Sequence, residues 1–403
     1  MDFISVASAE KLIFDTVPFA PIGAINIGNL REEVLAQKFV ADRNYPPFDR
    51  VAMDGIAIAY QQWQEGQRQF KIHSLQKAGE GAKDLVESGL CIEVMTGAPM
   101  PRGADTVIRY EDIVVRNGVA EISNVLVEPR QNIHFEGADY LAGSELVHAG
   151  VSLRAPEWSV AASIGQSQVQ VYRRPKIAVI STGDELVAVE ETPHPHQIRL
   201  SNGYALKASL LSHGFSEVQI FHLKDEESEM FRGLKEVFLN FDWVLLSGGV
   251  SMGKFDFVPQ ILADLGVEKV FHKIAQKPGK PIWFGMSSNK QPVFGLPGNP
   301  VSALICLHRY VLPALQKSIG GTIRPLFAKL TEDVSFKKPL SYFLSIRIDV
   351  SSEGQILATP VKSNGSGDFS SLLASDGFVE LRSDKDQFFR GEGVPLFLWR
   401  QLC

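Results

Sequence analysis

The chain has 403 residues, 45% of them apolar and 21% charged, with a formal net charge of −6, values ordinary for a globular protein of roughly two to four domains. The negative balance and the lack of a basic stripe exclude nucleic acid as the main partner, and no apolar run reaches the length of a bilayer span. Cys91, Cys306 and Cys403 are odd in number and far apart, and Met1-Asp2-Phe3 is acidic rather than signal-like, so a reducing cytoplasm is expected, with no disulfide framework and no cysteine metal site.

In chain order, a helix is predicted over residues 30–37. Pro46-Pro47 then forces an extended approach to the turn at Asp54-Gly55. Short β segments are predicted at 56–59, 69–73, 90–95, 106–110, 113–115 and 119–122, which makes residues 47–141 a small β-rich domain. Inside it lies a Pro/Gly-dense loop, 96–105. A helix is predicted near 156–163 with Gly165 as its stop, and Arg173-Arg174-Pro175 reads as the entry to a further domain.

From residue 176 the pattern changes. A strand at 176–181 ends in Ser181-Thr182-Gly183-Asp184-Glu185, helices at 202–213 and 225–239 alternate with a strand at 217–222, and Trp243–Leu246 is an uncharged run short enough for a strand buried on both faces. That run ends in Ser247-Gly248-Gly249, where missing side chains let backbone N–H groups approach an anion. Asp256 stands at an N-cap position ahead of a helix at 257–265, with Gly266 as the stop. Lys273 lies on a strand at 270–274. Lys277-Pro278-Gly279-Lys280-Pro281 places two cations on a stiff turn. Gly295-Leu296-Pro297-Gly298-Asn299-Pro300 follows a strand at 292–294 and leads into a helix at 301–315, with Asn299 as N-cap. Each turn alone can be ordinary turn chemistry. Three of them leaving apolar strands within sixty residues favour a phosphate-bearing ligand at the carboxyl ends of an open α/β sheet. Pro193-His194-Pro195-His196 reads as a solvated loop.

Beyond about residue 322 the helical signal ends. Alternating segments at 327–330, 342–350, 356–359, 378–381 and 394–399 predict a small β domain or barrel, with a polar loop at 363–371.

Six blocks taken together resemble the molybdopterin molybdenumtransferases, the MoeA/gephyrin-type family of molybdenum cofactor biosynthesis. They are Pro-Pro-Phe-Asp-x-x-Ala-Met-Asp-Gly at 46–55, Met-Thr-Gly-Ala-Pro-x-Pro-x-Gly-Ala-Asp at 95–105, Ser-Thr-Gly-Asp-Glu-Leu at 181–186, Ser-Gly-Gly-Val-Ser-x-Gly-x-x-Asp at 247–256, Lys-Pro-Gly-Lys-Pro at 277–281 and Gly-Leu-Pro-Gly-Asn-Pro-Val-Ser at 295–302. They stand in the family's order across nearly the whole chain.

The resemblance implies an α/β multidomain protein: a split helical/β domain at 1–46 and 142–174, the β-rich insertion at 47–141, an α/β molybdopterin-binding domain at 175–322 and a C-terminal β-barrel at 323–403. It implies a cytoplasmic homodimer whose active cleft is shared between subunits, with transient contact to the adenylylating enzyme. It further implies insertion of molybdate into adenylylated molybdopterin with release of AMP, assisted by Mg²⁺ or another divalent cation. Carried over by motif position, the catalytic carboxylates are Asp54, Asp139, Glu185, Asp225 and Asp256, of which Glu185, Asp225 and Asp256 would hold the metal. The implied substrate-binding residues are Thr96, Ser247, Gly248, Gly249, Ser251, Lys273, Lys277, Lys280, Pro297, Gly298, Asn299 and Pro300. The blander readings are that Asp225 and Asp256 are helix caps, Asp54 a turn residue, Glu185 a surface charge and the lysines solvated. Arg50-Val51, Ile56 and Leu200 depart from the family's usual residues. A non-catalytic scaffold relative and a paralogue handling tungstate or the adenylylating step are the rival functions.

Overall fold

The computed structural model describes residues 3–29, 31–249 and 258–400, and the chain divides into two compact units, 1–36 with 150–154 and 168–403, and 37–149 with 155–167.

In the first unit the sheet predicted from residue 176 onward is present. Its six strands run in the order Val218–Leu223, Ile177–Thr182, Trp243–Ser247, Pro292–Leu296, Trp283–Ser287, Val267–His272. The first four are mutually parallel, and the last two add antiparallel neighbours. The near-continuous apolar runs follow from burial on both faces. Ile177, Val179 and Leu245 pack with Leu206, Leu210, Val301 and Ile305 on one side. Ala178, Ile180, Val244 and Leu246 pack with Leu234, Val237, Ile261 and Leu262 on the other. Gly266, at φ 79°, is the stop expected after the helix Val258–Asp264.

Strands Leu326–Leu330, Ser341–Val350, Ile356–Pro360, Gly377–Leu381 and Gly393–Leu398 pair in a ring, so the C-terminal region is a closed five-stranded barrel. Closure leaves no free edge. Its interior holds Leu330, Ile346, Ala358, Val379 and Leu396.

The second unit carries another six-stranded sheet, ordered Thr106–Arg109, Gly55–Ile58, Leu90–Val94, Gln69–Gln76, Val119–Ile122, Ile113–Arg116. Gly55 opens the second strand for a steric reason: a Cβ there would lie 1.9 Å from the Ile108 carbonyl oxygen.

Three expectations need correction, and one helix carried no prediction. Residues 31–37 of the helix expected over 30–37 are not helical, and Leu30 lies outside the described residues. Leu35 N donates to Val151 O at 2.9 Å and Ala36 N to Gln170 O at 2.8 Å, so tertiary pairing overrides the helix-forming sequence. The helix Val6–Thr16, capped by Ser5 Oγ accepting from Ser8 N, carried no prediction. The helix expected over 301–315 is Pro300–Cys306, a π-helical turn Leu307–Val311, then Leu312–Ser318. The polar loop at 363–371 ends in a short helix, Phe369–Ala374, whose cap Asp368 accepts from Ser370 N and Ser371 N.

Candidate active site

In the first unit, the strands Val218–Leu223, Ile177–Thr182, Trp243–Ser247 and Pro292–Leu296 are parallel neighbours, so the segments that leave them share one edge of the sheet. Those segments carry Asp225, Asp184 and Glu185, Gly248 and Gly249, and Pro297–Pro300. They are bound to each other. Asp225 N donates to Asp184 Oδ1 at 3.1 Å, His222 Nε2 donates to Gly183 O at 3.1 Å, and Gly248 N donates to Leu296 O at 3.2 Å. Asn202, the first residue of its helix, gives its Nδ2 both to Ser247 Oγ at 2.9 Å and to Gly298 O at 2.7 Å. It thereby fixes two of the loops at once.

The glycines are required. Gly248 has φ 100°, and its Cβ would lie 2.9 Å from Thr182 O; a Cβ on Gly249 would lie 2.8 Å from Thr182 Oγ1. Thr182 is 4% exposed, and among the described residues its hydroxyl has no hydrogen-bond partner. A buried hydroxyl left without a partner costs about 1–3 kcal/mol, and an incoming acceptor would remove that cost. Asn299 occupies the N-cap position of Pro300–Cys306 with Pro300 following as expected, but its side chain makes no capping bond. Its Nδ2 instead donates to Ser366 Oγ at 2.8 Å, and Val301 N donates to Ser366 O at 3.1 Å. Likewise the N-cap of Glu227–Asn240 is Glu226, not Asp225.

Lys273 is not on a strand as expected. It follows the last residue of Val267–His272, in the left-handed region at φ 73°, with its N–H donating to Ile282 O at 2.9 Å. Lys277 belongs to a two-residue strand, Gln276–Lys277, paired with Ser341 and Tyr342 of the barrel. Lys280 Nζ stands 3.9 Å from the centroid of the Phe3 ring. Ser251 and Asp256 lie outside the described residues.

In the second unit, Asp54 Oδ1 accepts from Thr96 N at 2.6 Å and from Thr96 Oγ1 at 2.8 Å. These bonds, the backbone N–H first, hold the Asp54 carboxyl below its ordinary value. The partner loop is seated by Gly97 N donating to Val51 O and Val51 N to Ala98 O, both at 2.9 Å. Asp139 Oδ1 accepts from His134 Nε2 at 3.0 Å, and Arg50 donates to His134 Nδ1 at 3.0 Å. Because Arg can only donate, Nδ1 is the acceptor and Nε2 carries the proton given to Asp139.

The structure thus joins Asp54 to Thr96, and separately joins Glu185, Asp225, Ser247, Gly248, Gly249 and Pro297–Pro300 along one sheet edge. Sequence reasoning missed Asn202, Ser366, His134 and Arg50. Arg50 had registered only as a departure from the family pattern, and Ser366 only as part of a polar loop. Among the described residues no group of three or more His, Cys, Asp or Glu is gathered to hold a metal, and no helix is long and apolar enough to cross a membrane.

Comparison with known proteins agrees with this architecture. Residues 4–165 match the family described as the MoeA N-terminal region (domain I and II), 178–317 the "probable molybdopterin binding domain", and 328–399 the MoeA C-terminal region (domain IV). The molybdopterin molybdenumtransferase of Synechocystis sp. is 39% identical over 398 residues, covering 98% of this chain and 100% of that protein. The one from Haemophilus influenzae is 30% identical, with 98% of each chain covered. A crystal structure of the molybdopterin biosynthesis MoeA protein from Pyrococcus horikosii superposes with a TM-score of 0.84 at 29% identity, covering 100% of both chains. The chain belongs to the MoeA family of molybdopterin molybdenumtransferases.

Proposed function

We propose that this protein inserts molybdate into the dithiolene of adenylylated molybdopterin and releases AMP. The observation that carries the reading is the sheet edge where the side-chain-free turn Gly248-Gly249, the Thr182 hydroxyl and the carboxylates of Glu185 and Asp225 come from adjacent strands. A dinucleotide-like phosphate needs donors at close range, and glycine backbone supplies them where a Cβ would intervene.

In this reading Asn202 keeps the Gly248 and Gly298 loops in register, while Lys273, Lys277 and Lys280 supply positive charge for phosphate or oxyanion. Asp54, held ionised by Thr96, and Asp139, oriented by His134, act as the carboxylates of the second unit. Glu185 and Asp225 are hard oxygen donors of the kind Mg²⁺ takes, and Mg²⁺ is commonly held by one or two carboxylates with substrate phosphates completing its shell. Asp256 belongs to the same proposed set. The ion would neutralise phosphate charge. The family resemblance supports four domains at 1–46 with 142–174, 47–141, 175–322 and 323–403, a cytoplasmic homodimer with a shared cleft, and handover from the adenylylating enzyme.

The test is an insertion assay of the purified protein with molybdate and preformed adenylylated molybdopterin, beside one with molybdopterin and ATP. Formation of cofactor and AMP only from the adenylylated substrate is the expected result. Activity only with ATP would assign the adenylylating step instead, and no activity with either would assign a scaffold. Tungstate in place of molybdate reads out oxyanion preference.

A further inference from the structure

The loop that carries Lys277 and Lys280 is held from beneath by a polar group buried in an apolar core. Gln276 is 1% exposed and Tyr310 1% exposed, and Cys306 is fully buried. Tyr310 donates its hydroxyl proton to Gln276 Oε1. Gln276 Nε2 donates to Pro278 O at 3.1 Å, inside the loop, and the Cys306 thiol donates to Gly279 O at 3.7 Å. The loop leaves no room at that point: a Cβ on Gly279 would lie 2.7 Å from both Cys306 Sγ and Gln276 Nε2, and 3.7 Å from Ser302 O. Gly279 itself is at φ 86°.

Tyr310 sits in the π-helical turn Leu307–Val311, and Cys306 closes the α-helical stretch that starts at Pro300. One continuous helical segment therefore follows the Gly298-Asn299 loop at its start and grips the lysine loop from its middle. π turns recur at functional sites because they redirect side chains out of the regular helical register. A buried amide and phenol are costly unless satisfied. Here each finds its partner in the other or in the loop's own carbonyl.

We propose that Gln276 and Tyr310 are positioning residues: they hold Pro278 and Gly279 so that the Lys277 and Lys280 ammonium groups are presented in one arrangement to an oxyanion. The inference rests on the reading that these lysines bind the oxyanion of the transfer reaction. Neither positioning residue touches the ligand; they act by keeping the loop from sampling other shapes, so their loss raises the KM for molybdate more than it lowers kcat.

The full-length protein is tested with molybdate as probe, by calorimetric titration and by insertion kinetics, in four forms: wild type, Lys277→Gln/Lys280→Gln, Tyr310→Phe, and Gln276→Met/Tyr310→Phe. Tyr310→Phe strands the buried Gln276 carbonyl oxygen, whereas the double apolar replacement removes the Gln276–Tyr310 pair together, leaves only the Pro278 carbonyl without its donor and recovers most of the thermal stability. The expected result is that the lysine variant weakens molybdate binding at least tenfold, and that Gln276→Met/Tyr310→Phe weakens it at least fivefold while melting close to wild type, with KM raised and kcat within twofold. Should the apolar pair restore both stability and affinity, the residues are structural and the inference is overturned. Wild-type affinity in the lysine variant would overturn the reading of the lysines and this inference with it. A weakened lysine variant beside an unaffected Gln276→Met/Tyr310→Phe overturns the inference alone.

Discussion

At the scale of single residues, the most informative contact is the one between Asp54 and Thr96. The sequence marks both, Asp54 by its turn and Thr96 by its Pro/Gly-dense loop, yet they are 42 positions apart and nothing local says that they touch. The contact holds the Asp54 carboxyl below its ordinary value, and substitution at both residues tests the role proposed for it. Thr96→Val deletes the hydroxyl and leaves the backbone N–H, so the Asp54 pKa should move up toward its ordinary value without reaching it, as followed by a carboxylate-labelled NMR titration. Asp54→Asn keeps the shape and the acceptor oxygen but removes the charge. Insertion activity should fall at least about tenfold, the equivalent of about 1.4 kcal/mol in the transition state. Full activity in Asp54→Asn would return the residue to an ordinary turn. Arg50 and His134 show the opposite case of legibility: neither belongs to a chemical motif, and only the pairing of Arg50–Val51 with Ile133–His134 brings them to Asp139.

Among the elements, those with strong periodicity were readable and those set by tertiary contact were not. The parallel strands announce themselves because burial on two faces demands an unbroken apolar run. Residues 31–37 have helix-forming composition and still pair as extended chain, because Glu33 is 1% exposed beside Arg174 and the neighbouring amides bond to Val151 and Gln170. The π turn was invisible, since one extra residue in a single turn leaves no mark on an apolar pattern. It has a consequence at acid pH. His308, in that turn, is packed against His213 at 5.5 Å and Trp399 at 6.3 Å between ring centroids, lies 3.3 Å from Ser209 Oγ and neighbours the buried Arg309. Burial first, and His213 second, push its imidazole down from 6.5 to about 3. The unfolded chain binds a proton below pH 6.5 that the folded chain refuses, so this group's contribution to stability is intact above pH 6.5 and is lost as pH falls toward 3. At pH 5 the loss is as much as about 2 kcal/mol. Denaturant unfolding at pH 7.5 and pH 5.0 should show a smaller difference in His308→Gln than in wild type, by roughly that amount; equal differences would mean that His308 is protonated at no cost in place.

Across the molecule, one guanidinium links three parts of the first unit that also share an apolar core. Arg309, its side chain 8% exposed, donates to Glu10 Oε1 and Glu380 Oε2 at 2.7 Å each, joining the N-terminal helix, the helix after Asn299 and the barrel. The carboxylates proposed to act belong to both units: Glu185 and Asp225 to one, Asp54 and Asp139 to the other. If the working site is shared across a homodimer, each site takes one set from each subunit, and two differently damaged chains can complement. Asp54→Asn and Glu185→Gln homodimers should each be inactive. After subunit exchange, a heterodimer holds one site with both defects and one with neither. Statistical exchange makes about half of all dimers heterodimers, each with one intact site of two, so recovered activity should approach about one quarter of wild type per chain. Size-exclusion chromatography with differently tagged chains confirms that exchange has occurred, and an exchanged mixture that stays inactive would show that both sets act within a single chain.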